Sequence, residues 1–281
     1  MGPVLMNNQE EWIVDFHTHT NFSDGYYPPE KVVSMAAGQG LRAIAITDHD
    51  TMDGIPEAIT AGRRLGIEVV PGVEVSAIYR GEEVHLLGYY PSSRGHLPLF
   101  LKLMKRERFR RARKISDRLK QLGINLDREE ILRESYPASP GRLHFARLLL
   151  KKGIVASIRE AFERYLGENS TAYFPRNLYS AEKVLSILHR SAATSVLAHP
   201  GLIKSIPIEA LLSLGIKGLE VFYPHHSRSE QEYFLRLAKK HRLVITGGSD
   251  FHGDPKSKIS HPGYTAVGYK YLQQLKGLSG L

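Results

Sequence analysis

Seven short β-rich runs alternate along this chain with amphipathic helical stretches, and the alternation is broken only once, by a long basic segment in the middle. The runs are Trp12–Phe16, Ala43–Thr47, Glu68–Val75, Val84–Tyr89, Ser195–Ala198, Gly218–Phe222 and Leu243–Thr246. Helical patterns at Pro29–Gln39, Ile55–Leu65, Ala181–Arg190, Ile208–Leu214 and Glu230–Arg242 separate most of them. Repeated strand–helix alternation predicts a mainly parallel sheet, either closed into a barrel or left open and doubly wound. With 281 residues, such a chain buries roughly three quarters of its unfolded surface without help from disulfides.

The formal net charge of +9 is not spread evenly. Leu97–Ala172 holds 18 Lys and Arg against 9 Asp and Glu, which accounts for the whole excess. In its densest run, Lys102–Lys120, the basic residues Lys105, Arg106, Arg108, Arg110, Arg111, Arg113 and Lys114 are set against Leu101, Met104, Ala112, Ile115, Leu119 and Leu122. The apolar set recurs at three- and four-residue steps, as a helix requires. Asp127 with Glu130 and Ser157 with Glu160 are spaced as capping boxes, and Gly153 and Gly167 are placed as C′ residues. We therefore read residues 97–172 as an inserted helical subdomain within one discontinuous α/β domain, residues 12–96 and 173–275. Such a run can be no more than a solvated helix face; beside an active site it would instead attract polyanions.

The chain has no cysteine. That excludes disulfides, thiolate nucleophiles, iron–sulfur clusters and cysteine zinc sites, so any metal must be held by nitrogen and oxygen. No apolar run approaches the ~18 residues that span a bilayer. Met1–Trp12, with Asn7, Asn8, Glu10 and Glu11, lacks the basic and apolar regions of a secretory signal. The expectation is a cytoplasmic protein with no membrane association and no evident obligate protein partner.

Thirteen histidines are then the conspicuous resource. His17 and His19 follow the first strand, Asp48, His49 and Asp50 the second, Glu74 and His85 lie in the third and fourth, His199 follows the fifth, and Asp250 and His252 the seventh. A β/α barrel delivers the C-terminal ends of its strands to one face, where residues remote in sequence converge, whereas an open sheet spreads them along an edge. The barrel is favoured. So many polar groups in one concavity are costly to bury unless metals or substrate satisfy them. His17, His19, Asp24, His49, Glu74, His85, His199, Asp250 and His252 make nine donors; at about three protein ligands per catalytic ion they suggest three divalent ions. Ligand type allows Mn, Fe or Zn. Clustered divalent ions acidify bound water and neutralise developing charge, which suits phosphoester hydrolysis.

The same residues carry a family resemblance. HTHT with FSDG at His17 to Gly25, ITDHD at Ile46 to Asp50, GVEVS at Gly72 to Ser76, VHLLGYY at Val84 to Tyr90, AHPG at Ala198 to Gly201 and GSDFHG at Gly248 to Gly253 resemble the polymerase and histidinol phosphatase (PHP) superfamily. The short spacing from Glu74 to His85, the insert directly after GYY and the EVFYPHHS segment look like its branch of 3′,5′-nucleoside-bisphosphate phosphatases and 5′-to-3′ exoribonucleases. The resemblance implies a distorted seven-stranded, TIM-like β/α barrel. It implies one metal on His17, His19, Asp250 and a bridging Glu74, a second on Glu74, His85 and His199, and a third on Asp24, His49 and His252.

It implies, too, a hydroxide generated at the metals that attacks phosphorus in a nucleotide 3′,5′-bisphosphate or at the 5′ end of a short RNA. Glu74 is central to that catalysis, and His226, in the YPHHS segment, is a candidate for leaving-group protonation or phosphate binding. Arg142 and His144 open a helix after Ser139–Pro140–Gly141, where backbone N–H groups and an Arg fork suit a second phosphate. Tyr173 and Arg176 could contact a base or phosphate, and Asp48 and Asp50 are expected to orient histidine ring nitrogens. Two other readings are a phosphatase of a small phosphomonoester such as histidinol phosphate, and a non-catalytic nucleic-acid-binding module.

Overall fold

The structure, a computed structural model, describes residues 13–92 and 95–280. The expectations for Met1–Trp12, including the start of the first strand, lie outside the described residues. The elements are β1 (Val14–Asp15), α1 (Pro29–Gly38), β2 (Ala43–Ile46), α2 (Ile55–Leu65), β3 (Glu68–Tyr79), β4 (Glu82–Tyr89), α3 (His96–Gln121), α4 (Arg128–Ser135), α5 (Arg142–Lys151), α6 (Ile158–Ala161), β5 (Tyr179–Ser180), α7 (Ala181–Arg190), β6 (Thr194–Leu197), α8 (Ile208–Leu212), β7 (Gly218–Phe222), α9 (Arg228–Lys240), β8 (Val244–Gly247) and α10 (Tyr269–Ser279). A π-helical turn, Phe162–Leu166, continues α6.

The sheet runs β1-β2-β3-β4-β6-β7-β8. Its ends meet where Phe16 N–H donates to Gly247 O at 3.1 Å and Asp250 N–H to His17 O at 2.8 Å, so the seven strands form a nearly closed barrel. β2, β6 and β7 are buried at every position, as strands covered on both faces should be.

Two features depart from the sequence reading. β4 runs antiparallel to both neighbours, β3 and β6. Arg80 and Gly81, with φ of 49° and 86°, form the two-residue link between β3 and β4, and two positive φ values match the twist of a tight hairpin. Because β4 is reversed, His85 near its start reaches the same barrel end as residues that follow the parallel strands. An eighth strand, β5, pairs in parallel with Ala77 and Ile78 at the far end of β3.

Helix α3 belongs to two hydrophobic clusters. Leu97, Phe100, Leu101 and Met104 in its first turns pack in the barrel core. Ala112, Ile115 and Leu119 farther along pack with Phe145, Leu149 and Leu166 in a separate cluster. Glu130 Oε2 accepts the Asp127 N–H and Ser157 Oγ accepts the Glu160 N–H, as the capping spacing predicts. Gly153 takes a φ of 68° after α5. Gly167 differs: its φ is −75°, and a Cβ there would sit 2.7 Å from Phe162 O, so close approach rather than left-handed backbone requires glycine.

Candidate metal centre

β1 is followed by the extended run Phe16–His17–Thr18–His19, which brings both imidazoles together, with the two Nε2 atoms 3.1 Å apart. Asp250 enters from beyond β8, its Oδ1 3.5 Å from His17 Nε2 and 3.1 Å from His19 Nε2. Glu74, midway along β3 and 1% exposed, lies between the remaining ligand candidates. Its Oε1 is 2.9 Å from His85 Nδ1 and 3.1 Å from His199 Nε2. Its Oε2 is 3.0 Å from His49 Nδ1 and 3.4 Å from both His17 and His19. Asp24 completes the set, 3.2 Å from His252 Nε2 and 3.8 Å from His49 Nε2. All nine predicted donors therefore converge.

Three groups among them have ligand atoms within 4.8 Å of one another: His19, Asp24, His49 and His252; His17, His19 and Asp250; and His49, Glu74 and His85. The set fits cations better than it fits itself. His19 Nδ1, Asp24 Oδ1, His49 Nδ1 and Glu74 Oε2 are all buried without a hydrogen-bond partner, although charged neighbours stand close. Burial pushes the Glu74 carboxyl up, but the imidazoles of His49, His85 and His17 outweigh it and hold it well below the usual range. Asp24 and Asp250 are held down against burial by their histidines in the same way. Carboxylates held in the ionised form, with imidazoles aimed at the same point and several buried atoms lacking a hydrogen-bond partner, form a donor set for divalent ions.

Three site residues carry backbone strain. Asp50, His199 and Asp250 have φ of 56°, 28° and 52°, conformations that non-glycine residues rarely adopt, and rigid surroundings must hold them.

The carboxylates beside the ligands do not act as the sequence suggested. Asp48 accepts from Thr20 N–H, Thr20 Oγ1 and Ser23 Oγ, and so organises the loop that carries Asp24. Asp50 accepts from Ser76 N–H and pairs with Arg108. Neither orients a histidine ring. That work falls to Glu220, a residue sequence reasoning missed: it lies 3.0 Å from His17 Nδ1 and accepts the His199 N–H at 2.7 Å. Its signal was visible, a lone carboxylate inside the apolar run GLEVF of β7. Tyr223 was also missed. Its hydroxyl donates to Asp250 Oδ2 at 3.1 Å, and burial followed by the nearby carboxylates keeps it protonated.

His226 requires correction. Its Nδ1 is 2.8 Å from Val221 O and its Nε2 accepts the Gly201 N–H at 3.1 Å, so both ring nitrogens are committed to backbone and neither is free to serve a substrate.

The helical segment covers the site. His144 is nearly buried, its Nδ1 accepts the Gly141 N–H, and burial with the adjacent Arg147 pushes it down to about 4. The Arg142 guanidinium packs over Phe162 and Tyr173, each at 5.6 Å, and Nη1 reaches Leu166 O. Arg176 donates to Ser76 Oγ and Glu83, beside His85. Arg147 was not anticipated: it stacks 4.2 Å over Tyr26, and its Nε and Nη2 are buried without partners.

The profile of the PHP domain matches residues 15–179. The 5′-3′ exoribonuclease Rnm of Salmonella typhimurium is 33% identical over 266 residues, 90% of this chain and 89% of that protein. A 3′,5′-nucleoside bisphosphate phosphatase of Chromobacterium violaceum is 32% identical over 259 residues, 88% of this chain and 90% of the relative. A solved structure from Bifidobacterium adolescentis, assigned as a metal-dependent phosphoesterase, superposes with a TM-score of 0.86 at 27% identity, over 99% of this chain and 98% of that one.

Proposed function

This chain belongs to the PHP family and is a hydrolase of phosphate esters, and from that premise we propose that it acts on nucleotide 3′,5′-bisphosphates and the 5′ ends of short RNA. The observation that carries the reading is the convergence of nine donors, four with a buried atom lacking a partner, beneath a segment rich in guanidinium groups. The proposed division of labour gives ligation to the barrel, residues 12–96 and 173–275, and recognition to residues 97–172.

His17, His19 and Asp250 would hold one divalent ion, His85 and His199 a second, and Asp24, His49 and His252 a third, with Glu74 shared between the first two. Such ions supply a nucleophile from water at neutral pH and offset charge on the equatorial oxygens. Glu220 fixes the tautomer of His17, so that Nε2 faces the centre. The Tyr223 hydroxyl holds the Asp250 carboxylate in place. Arg142, His144 and Arg147 bind the phosphate that does not react, Arg147 through its Nε and Nη2 donors, which lack hydrogen-bond partners. A phosphate held there orients the ester toward the metals.

The test is release of phosphate or nucleotide from adenosine 3′,5′-bisphosphate and from a short 5′-phosphorylated RNA in Mn²⁺, with Glu74→Gln as control. Turnover abolished by the substitution supports the reading. Silence on both substrates, with Mn²⁺ bound, removes the nucleotide assignment.

A further inference from the structure

A groove of about 1120 Å³ runs beside α3, and its inner end is lined by Asp50, Arg108 and Arg176, with Asp50 next to His49 in sequence and Arg176 hydrogen-bonded to Glu83, which contacts His85. From there it follows the helix to Lys120 and is flanked by Asn125 and Arg128 on the opposite side. Arg108 to Lys120 spans about 18 Å at 1.5 Å per residue. That is the length of about five steps of a stacked strand at roughly 3.4 Å each, far more than one nucleotide needs.

The lining carries more cations than acids: Asp50, Glu107 and Asp117 pair with Arg108, Arg110 and Arg113, and further cations remain. Lys114, Lys120 and Arg128 are exposed and have no carboxylate partner among the described residues. Arg111 donates Nε–H to Phe174 O at 2.7 Å; burial and then the neighbouring Arg142 and Arg176 push its pKa down to about 10, so like charges are held together here. Rings alternate with these cations. Phe109 is 40% exposed, and Lys114 Nζ lies 6.0 Å over Phe174. Phosphates satisfy such cations, and unpaired bases stack on such rings.

We propose that this groove is a track for single-stranded nucleic acid, holding along α3 the body of a strand whose end occupies the metal centre. The inference rests on the phosphoesterase reading but claims something separable: affinity and turnover rise with strand length.

The test uses the triple substitution Lys114→Ala, Lys120→Ala, Arg128→Ala and, separately, Phe109→Ala, all at exposed positions away from the metal ligands. Two quantities are measured. One is kcat/KM for adenosine 3′,5′-bisphosphate and for a 5′-phosphorylated RNA of about ten nucleotides. The other is RNA affinity by fluorescence anisotropy as salt is varied. The triple variant should lose about tenfold or more on the RNA and less than about twofold on the bisphosphate, with the salt slope reduced by about two, at ~0.7 per phosphate contact on a single strand. Phe109→Ala should weaken RNA binding about fivefold or more, the lower end of what one stacked base contributes. Equal effects on both substrates, no effect on the RNA, or equally tight binding of duplex RNA would overturn the track. If the unaltered protein hydrolyses neither substrate yet binds RNA in a way the triple variant weakens, the track stands and the phosphoesterase reading falls.

Discussion

Glu220 Oε1 lies 3.0 Å from His17 Nδ1 at the floor of the site, with both side chains fully shielded from water. A buried carboxylate there favours the tautomer with a proton on Nδ1 and leaves Nε2 free to ligate. Its other oxygen accepts the His199 N–H, so one side chain contacts two candidate ligands that follow separate strands. Glu220→Gln keeps the volume and removes the charge. We expect Mn²⁺ affinity and kcat to fall about 10- to 100-fold with an unchanged circular dichroism spectrum. Isothermal titration with Mn²⁺ checks this, and undiminished affinity would show that Glu220 only fills space.

Metal should stabilise the fold. The partnerless atoms of His19, Asp24, His49 and Glu74 exist as one constellation only in the folded chain. Binding to that state alone adds about 2.7 kcal/mol at 100 times Kd. Differential scanning calorimetry should show Tm rising with Mn²⁺ and reversing with chelator, and Glu74→Gln should blunt the rise. A Tm indifferent to Mn²⁺ would count against the centre.

Gly248 and Gly38 form a paired test of packing. A Cβ at Gly248 would fall on the backbone N and Cβ of His17 and 2.9 Å from Asp15 Oδ1. Gly248→Ala should displace His17, cost about 1–3 kcal/mol and lower metal affinity. At Gly38 a Cβ meets nothing within 4 Å, and Gly38→Ala in α1 should be neutral or stabilising by about 0.4–1 kcal/mol. Urea unfolding with Mn²⁺ titration reads both, and equal behaviour of the two variants would contradict the geometry.

His144 gives a pH dependence of defined sign. Burial first, then Arg147, pushes its pKa down to about 4, against about 6.5 in an unfolded chain. Folding therefore opposes protonation. Its contribution is full above pH 6.5 and is lost as pH falls toward 4, by about 3 kcal/mol over the window. His144→Gln keeps an acceptor for the Gly141 N–H and cannot titrate. Urea midpoints of the two proteins, compared at pH 7 and pH 4.5, should show the unaltered protein losing ground to the variant on acidification. A difference independent of pH would refute the assignment.

Much of this molecule was legible from local pattern. The bounds of α2 and α7 match the amphipathic stretches that predict them, because each buries a single apolar stripe whose period is written in consecutive residues. All nine donors were identifiable, since an imidazole or carboxylate beside an apolar strand needs a partner wherever that strand ends. The inserted helices were readable from charge density and caps.

What only the tertiary structure decided is pairing. A strand's direction leaves no trace in its alternation, so the reversal of β4 and the access it gives His85 depend on the hairpin at Arg80–Gly81. Whether His226 faces substrate or backbone depends on where Gly201 lies, 25 residues earlier in the chain. Asp48, Asp50 and Glu220 are alike as residue types, yet one ties a loop, one holds Arg108 and one fixes His17. Side-chain chemistry is local and set by the sequence, whereas the partner that gives each side chain its role is brought close only when distant segments pack into one closed barrel.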